Sequence, residues 1–474
     1  MLFRMIYDDK LAQAAYLIGC QRSGEAIVVD PERDVDRYIG AAAKEGLKVV
    51  AVAETHIHAD FLSGARELAE RTGARVYVSG EGGAEWRYGW LEQKPGGGSY
   101  DHVELHDGDV LRVGNIELRA IHTPGHTPEH LCYAVVDRGG GASEPMGVLT
   151  GDFVFVGDLG RPDLLESAVG KSGEAESSAR RLFQTLRTLD SLAEWVQIWP
   201  AHGAGSACGK ALGAVPQSTL GYERRTNAAL RAASSEGAFV RFILEGQPEP
   251  PLYFARMKRL NKEGPRVLGG LPTPKEMGQA ELGGLDARRV ALIDTREWAA
   301  FRAAHVPGAM FHPINNAFPT DVGSMVREGE AIYLVVEPAK LEEAVRCLFR
   351  VGLDDVRGFF PPAAVEGFVR AGGASASTGE VSAADARSMI GERGHFVLDV
   401  RRASEFAAGH IPGAMNIVHT RLLSRLDELP TDRKVLVNCR SGQRSARACA
   451  LLQKNGFDAT NLAGGMIAWD EAMR

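Results

Sequence analysis

Thr55-His56-Ile57-His58-Ala59-Asp60-Phe61 decides how the first half of this chain is read. It follows Leu47-Lys48-Val49-Val50-Ala51-Val52, an apolar run that predicts a buried strand. Two imidazoles and a carboxylate at a strand end suit a cation, although a loop with two histidines is common by itself. Three more pieces come in order: Thr123-Pro124-Gly125-His126-Thr127, Thr150-Gly151-Asp152 and Pro200-Ala201-His202-Gly203. Each follows a strand-like apolar run, so all four can face one cleft. Imidazoles and carboxylates converging there suit zinc or non-haem iron.

Around these pieces the chain alternates strand-like runs and turns. Ala26-Ile27-Val28-Val29 and Ala74-Arg75-Val76-Tyr77-Val78 read as strands, residues 62–71 as a helix capped by Gly73, and residues 110–118 as a hairpin. Residues 11–20 read as a buried strand rather than a signal peptide. A helical stretch over 226–245 closes this first unit. Breaker-rich segments at 248–251 and 264–274 then mark a linker, and the small-residue run 371–379 marks a second.

The segments after these linkers repeat each other. His305-Val306-Pro307-Gly308-Ala309-Met310 matches His410-Ile411-Pro412-Gly413-Ala414-Met415, and Asp294 matches Asp399; 294 to 399 and 305 to 410 are both 105 positions. Strand, helix, strand and helix with short loops predict a parallel sheet covered on both faces. One place differs. The second copy has Cys439-Arg440-Ser441-Gly442-Gln443-Arg444-Ser445 where the first has Glu337-Pro338 and a loop two residues shorter. A thiol between a strand end and a helix start, with Arg440 and Arg444 beside it, faces converging N–H groups and positive charge. That environment predicts a reactive thiolate able to carry sulfane sulfur.

Bulk properties narrow the class. The chain has 474 residues, 45% hydrophobic, enough for about two to four ordinary domains. A net charge of −7 gives nucleic-acid binding no support, and no apolar run is long enough to span a bilayer. Six scattered cysteines, with no Cys-x-x-Cys pair, predict reduced thiols in a cytoplasmic protein rather than a disulfide scaffold. Cys347 and Cys449 read as core packing, and Cys208 as a bland residue near the cleft.

The four histidine and aspartate pieces resemble the metallo-β-lactamase superfamily over about residues 1–245. Residues 380–474 resemble rhodanese sulfurtransferases through the Cys439 loop, and residues 265–375 look like a rhodanese domain without its nucleophile. The fold class expected is therefore α/β: an αββα sandwich (1–245), a linker (246–264), then two rhodanese-like α/β domains with parallel sheets. The superfamily's fuller pattern has a histidine where this chain has Phe61, which removes a ligand from a second metal site. That departure suits the persulfide dioxygenase branch. The resemblance then implies one Fe(II) per chain on His56, His126 and Asp152, with no organic cofactor. It leaves His58, Asp60 and His202 to orient ligands, and His122 and His130 with no metal role. Arg161 either holds the site's shape by ion pairing or meets a substrate carboxylate.

The whole order of domains resembles persulfide dioxygenase–sulfurtransferase fusions of sulfide detoxification. The implied substrates are a low-molecular-weight thiol persulfide and O₂, with sulfite accepting sulfur from Cys439 while Arg440 and Arg444 stabilise anionic sulfur. The implied assembly is a homo-oligomer, with no nucleic-acid or membrane partner. Two alternatives stay open: a dinuclear-zinc thioester hydrolase of the glyoxalase II type with a sulfur-carrier tail, and a non-catalytic sulfur relay.

Overall fold

A computed structural model describes residues 1–167 and 173–474. It divides into two compact units, Met1–Leu271 with Arg350–Gly352, and Pro272–Phe349 with Leu353–Arg474.

The first unit holds two six-stranded sheets. One runs Leu2–Asp8, Gln13–Cys20, Glu25–Val29, Lys48–Ala53, Arg75–Ser79 and His102–Leu105 in spatial order. The other runs Ser218–Thr219, Gln197–Pro200, Gly147–Gly151, Leu131–Asp137, Ile116–His122 and Val110–Val113. Side chains from both sheets share one core, where Ile18, Ile27 and Val29 meet Leu118, Tyr133 and Leu149. Helices cover the outer faces: Val49, Val52 and Val76 pack with Tyr38 and Leu68 on one side, and Val148 and Ile198 with Leu182 and Phe239 on the other. This is the expected αββα sandwich. The expected strand in residues 11–20 is Gln13–Cys20, buried throughout, and the expected hairpin is the antiparallel pair Val110–Val113 and Ile116–His122. The helix expected over 62–71 is Ala65–Thr72, with Gly73 at φ +70° as its cap.

Two expectations differ. The helix placed over 226–245 is broken into Leu220–Thr226, Ala228–Ala232 and Glu236–Leu244, because Asn227 and Ser235 each accept backbone N–H groups and start a new helix. Residues 246–264, read as linker, contain the helix Phe254–Glu263. It buries Phe254 and Met257 and belongs to the first unit. Breaker residues mark its two ends and hide the apolar face between them.

The second unit holds two five-stranded, all-parallel sheets. One has the order Lys275–Glu276, Val356–Phe360, Ile332–Val335, Ala291–Asp294 and Met310–Phe311; the other has Gly379–Val381, Ala459–Leu462, Val435–Asn438, Phe396–Asp399 and Met415–Asn416. Strand for strand the topology is the same, as the internal repeat predicts. In each copy an arginine two residues on grips the strand-end aspartate: Arg296 on Asp294 at 2.7 Å and Arg401 on Asp399 at 2.6 Å.

The two halves of this unit share a core. Ala446 and Ala450, on the helix Gln443–Lys454, pack with Phe311 and Val335 of the first half. Buried ions join them as well. Arg447 and His419 meet Asp321 at 2.9 and 3.0 Å, and Lys454 meets Glu330 at 2.7 Å.

Candidate metal centre and thiol loop

In the first unit the four sequence pieces converge. His56 and His126 Nε2 lie 4.0 and 3.5 Å from Asp152 Oδ2, and His202 Nε2 lies 3.3 Å from Asp152 Oδ1. One donor atom from each of His56, His126 and Asp152 falls within 4.8 Å of the others, and all three residues are buried.

Each of these imidazoles is held by its far nitrogen. Thr55 Oγ1 donates to Asp30 Oδ2 at 2.8 Å, so it accepts from His56 Nδ1 at 2.9 Å. His126 Nδ1 donates to the Arg161 carbonyl at 2.9 Å, and His202 Nδ1 to the Ala12 carbonyl at 3.1 Å. These bonds fix the tautomer and turn every Nε2 lone pair toward Asp152. Burial, with neighbouring cationic charge, pushes His56 and His126 well below the usual histidine range, so both rings are neutral donors.

Asp152 is unsatisfied, as are His202 Nε2 and Asp60 Oδ2 beside it. It is fully buried, burial pushes it up to about 6, and neither carboxylate oxygen has a hydrogen-bond partner. A buried carboxylate without partners is costly, and a cation at the three converging donors removes that cost. The donor set therefore fits a resident metal.

His58 and Phe61 do not join this set. His58 Nε2 points to Glu54 Oε2 at 3.0 Å and Asp30 Oδ1 at 3.2 Å. Burial opposes its charge, but the two carboxylates outweigh burial and raise it well above the usual range. The Phe61 ring packs on it, centroids 4.4 Å apart. Asp60 instead faces His202 at 3.3 Å, and Cys208 joins them in a second group of potential donors. Sequence reading gave Cys208 a bland role; the geometry sets it beside Asp60. Burial pushes its thiol well above the usual range.

His130 has a structural part that its sequence position did not show. Its Nε2 accepts the Asp152 backbone N–H at 2.9 Å, and its Nδ1 meets Thr123 Oγ1 at 2.8 Å. Burial pushes it down to about 3, so the ring is neutral and can accept. Arg161 contributes through its carbonyl. Its guanidinium is buried on Asp163 (2.8 and 2.6 Å) and on the Pro248 and Ala207 carbonyls (2.7 and 3.2 Å), the ion-pairing alternative of its two readings.

Backbone strain concentrates here. Ala12 and Asp30, each at φ +52°, are the non-glycine residues in the left-handed region among those described. One supplies the carbonyl that orients His202, the other the carboxylate that holds Thr55 and His58. Gly160 is required for another reason: a Cβ there would stand 1.7 Å from the Asp152 carbonyl.

In the second unit Cys439 follows the strand Val435–Asn438, and Gly442, at φ +91°, caps the helix Gln443–Lys454. The thiol is buried and accepts from Gly442 N at 3.1 Å and Ser445 Oγ at 3.3 Å. Met466 N and Ile467 N donate to the Cys439 and Arg440 carbonyls at 2.8 and 3.1 Å. Those bonds take up the carbonyls and leave N–H groups to serve the sulfur. Gly465 permits this, since a Cβ there would lie 2.3 Å from the Cys439 carbonyl oxygen. Arg444 is held by a bidentate pair to Glu405, 2.7 and 2.8 Å, a partner the loop motif does not reveal. Arg440 is exposed at the loop. All six cysteines are buried and free.

Two family models match the chain. The model of the metallo-beta-lactamase superfamily matches residues 8–192, and that of the rhodanese-like domain matches residues 382–472. A beta-lactamase hydrolase-like protein of Xylella fastidiosa is 28% identical over 296 residues, 58% of this chain and 62% of that protein. The chain thus spans under two thirds of that relative's length. Among solved structures, ETHE1 from Myxococcus xanthus is 27% identical over 55% of this chain and 98% of that one, with a TM-score of 0.44. A metallo-beta-lactamase from Staphylococcus aureus subsp. aureus COL is 38% identical, with 76% of this chain and 99% of that chain covered and a TM-score of 0.67. With that relative spanned almost whole, and with the sandwich and its donors in place, the chain belongs to the metallo-beta-lactamase superfamily and carries a rhodanese-like domain at residues 382–472.

Proposed function

We propose that the first unit oxidises the terminal sulfur of a low-molecular-weight thiol persulfide with O₂, using one ferrous ion per chain, and that Cys439 passes sulfane sulfur to sulfite. The observation that carries this reading is the three-donor set His56, His126 and Asp152, from which His58 is drawn away by Asp30 and Glu54. Two imidazoles and one carboxylate are the donor set of non-haem iron oxygenases. When bound, ferrous iron supplies the vacant positions at which a persulfide sulfur and O₂ can meet.

The chain's own residues do the rest. Thr55, the Arg161 carbonyl and His130 hold the donors in place. The sandwich buries the donors away from bulk water. The net reaction is RSSH + O₂ + H₂O → RSH + sulfite + 2H⁺, in which four electrons pass from the outer sulfur to oxygen. In the second unit the Cys439 thiolate attacks the outer sulfur of a further persulfide, and RS⁻ leaves. Sulfite then attacks the sulfur carried on Cys439 and departs as thiosulfate, returning the thiolate. The Gly442 N–H, the Ser445 hydroxyl and Arg444 stabilise the anionic sulfur throughout. Six free thiols suit a reducing cytoplasm.

One observation favours a second reading: Asp60, His202 and Cys208 form another donor group beside Asp152, as a two-metal hydrolase would need. Paired variants test the proposed division of labour. Cys439→Ser is expected to abolish thiosulfate formation and keep persulfide-dependent oxygen uptake, and His126→Ala to do the reverse. Loss of oxygen uptake in Cys439→Ser would refute two independent sites.

A further inference from the structure

Three residues from far along the chain, Arg350–Gly352, belong to the first unit. Arg350 is buried there, 8% exposed, and touches three separate segments of that unit. Its guanidinium grips Asp34 through two bonds, Nε to Oδ1 at 3.0 Å and Nη2 to Oδ2 at 2.7 Å. The same group lies 3.2 Å from Glu32 Oε2 and donates to Asp8 Oδ2. Its carbonyl accepts the Leu62 N–H at 2.7 Å. The next two residues are fastened in turn. Arg256 donates to the Val351 carbonyl at 3.2 Å, and a Cβ on Gly352, at φ +72°, would stand 3.1 Å from Leu62 and Met257.

Each segment that Arg350 touches orients part of the metal centre. Asp8 turns its other oxygen to the Lys10 and Leu11 N–H groups at 2.6 and 2.9 Å, shaping the turn into Ala12. The Ala12 carbonyl holds His202. Glu32 and Asp34 follow Asp30, whose carboxylate holds Thr55 and, through it, His56. Glu32 also bridges Ser63 along the backbone, and Leu62 stands two residues past Asp60. The left-handed residues Ala12 and Asp30 thus each lie within four positions of a carboxylate that Arg350 holds. Strained backbone of this kind persists only where its surroundings over-determine it. A buried ion network is by itself weak evidence of stability, because desolvation offsets the attraction. What this one supplies is geometry: one fork-shaped cation, with its own carbonyl, spans three loops.

We infer that Arg350 is a positioning residue of the metal centre, setting the loops that aim His56, Asp60 and His202, and that supplying it is a function of the nucleophile-free segment 265–375. The inference rests on a metal at His56, His126 and Asp152, but on neither its identity nor the oxygenation reaction.

The test uses the full chain freed of metal by a chelator, with cobalt(II) as the probe. Its visible d–d absorption and a chelator competition are the readouts, and His126→Ala defines the signal that belongs to the site. Arg350→Met is expected to bind cobalt about 10–100-fold more weakly, with a shifted d–d spectrum. Arg350→Lys keeps the charge but gives up the fork. It is the variant to use should Arg350→Met not fold, and it is expected to lose about tenfold. Leu111→Ala empties a buried core position on another strand, so it is expected to lower Tm while keeping the parent affinity and spectrum. Weakened binding in Arg350→Lys supports the inference even where no oxygen is consumed, in which case only the oxygenation reading falls. Parent affinity and spectrum in the Arg350 variants, or an equal loss in Leu111→Ala, overturn the inference. A parent protein whose cobalt signal does not depend on His126 would sink the metal reading itself, and the inference with it.

Discussion

Replacing Asp321 by Asn separates charge from shape in the second unit. Asp321 is 1% exposed and sits between Arg447 at 2.9 Å and His419 at 3.0 Å. Burial alone would raise its pKa; His419 and Arg447 outweigh burial and hold it below the usual carboxylate range. Asn keeps the volume and one acceptor but leaves Arg447, itself 4% exposed, as a buried charge without its counter-ion. Breaking such a pair costs about 3–5 kcal/mol; the acceptor that Asn retains favours the lower end. In a unit of this size about 3 kcal/mol corresponds to a fall in Tm of about 6–12 °C. Differential scanning calorimetry measures it, with the transition assigned by loss of sulfurtransferase activity. Because the folded pKa is depressed, the pair's contribution is complete above the unfolded value near ~4 and is lost only as pH falls through the folded value. The gap between parent and variant thus closes in acid. The double variant Asp321→Leu with Arg447→Met removes both charges and is expected to recover most of the loss. A Tm shift under about 2 °C at pH 7 (less than 1 kcal/mol in such a unit), or a double variant less stable than Asp321→Asn, would show that this buried pair is not what ties the helix after Cys439 to the other half of the unit.

Two more predictions concern the sites themselves. Gly465→Ala forces a Cβ against the Cys439 carbonyl, so sulfur transfer should fall at least about tenfold and stability by about 1–3 kcal/mol, read by thiosulfate formation and urea unfolding; wild-type transfer would show that the clamp on the loop is dispensable. His130→Phe removes the acceptor of the Asp152 N–H, so metal affinity should fall about 10–100-fold in a chelator competition; unchanged affinity would mean that Asp152 is positioned by other contacts.

The sequence made the donors of the metal centre legible because each stands just past the end of an apolar strand. The repeat was legible because His-x-Pro-Gly-Ala-Met recurs at a fixed offset. What escaped depends on contacts between distant segments. His58 is diverted by Asp30, 28 residues earlier, and nothing in the histidine motif predicts that carboxylate's direction. His130 looked like a bystander because its partner is a backbone N–H, which carries no sequence signature. Gly465 and Glu405 act on the Cys439 loop from other segments. The helix Phe254–Glu263 was missed because flanking prolines and glycines dominate a linker's appearance. Yet Asn261 on that helix donates to the His58 and Phe61 carbonyls at 2.8 and 2.7 Å and so closes the site loop.

The central claim is that His56, His126 and Asp152 hold a single ferrous ion that serves oxygenation. Its most direct test is anaerobic purification with metal quantification, followed by an oxygen electrode with glutathione persulfide. One iron per chain, oxygen uptake that a chelator abolishes, and sulfite as product are the expected results, with sulfur transfer through Cys439 surviving the chelator. Two zinc ions per chain, thioester hydrolysis and no oxygen uptake would contradict the account and assign Asp60, His202 and Cys208 to a second metal.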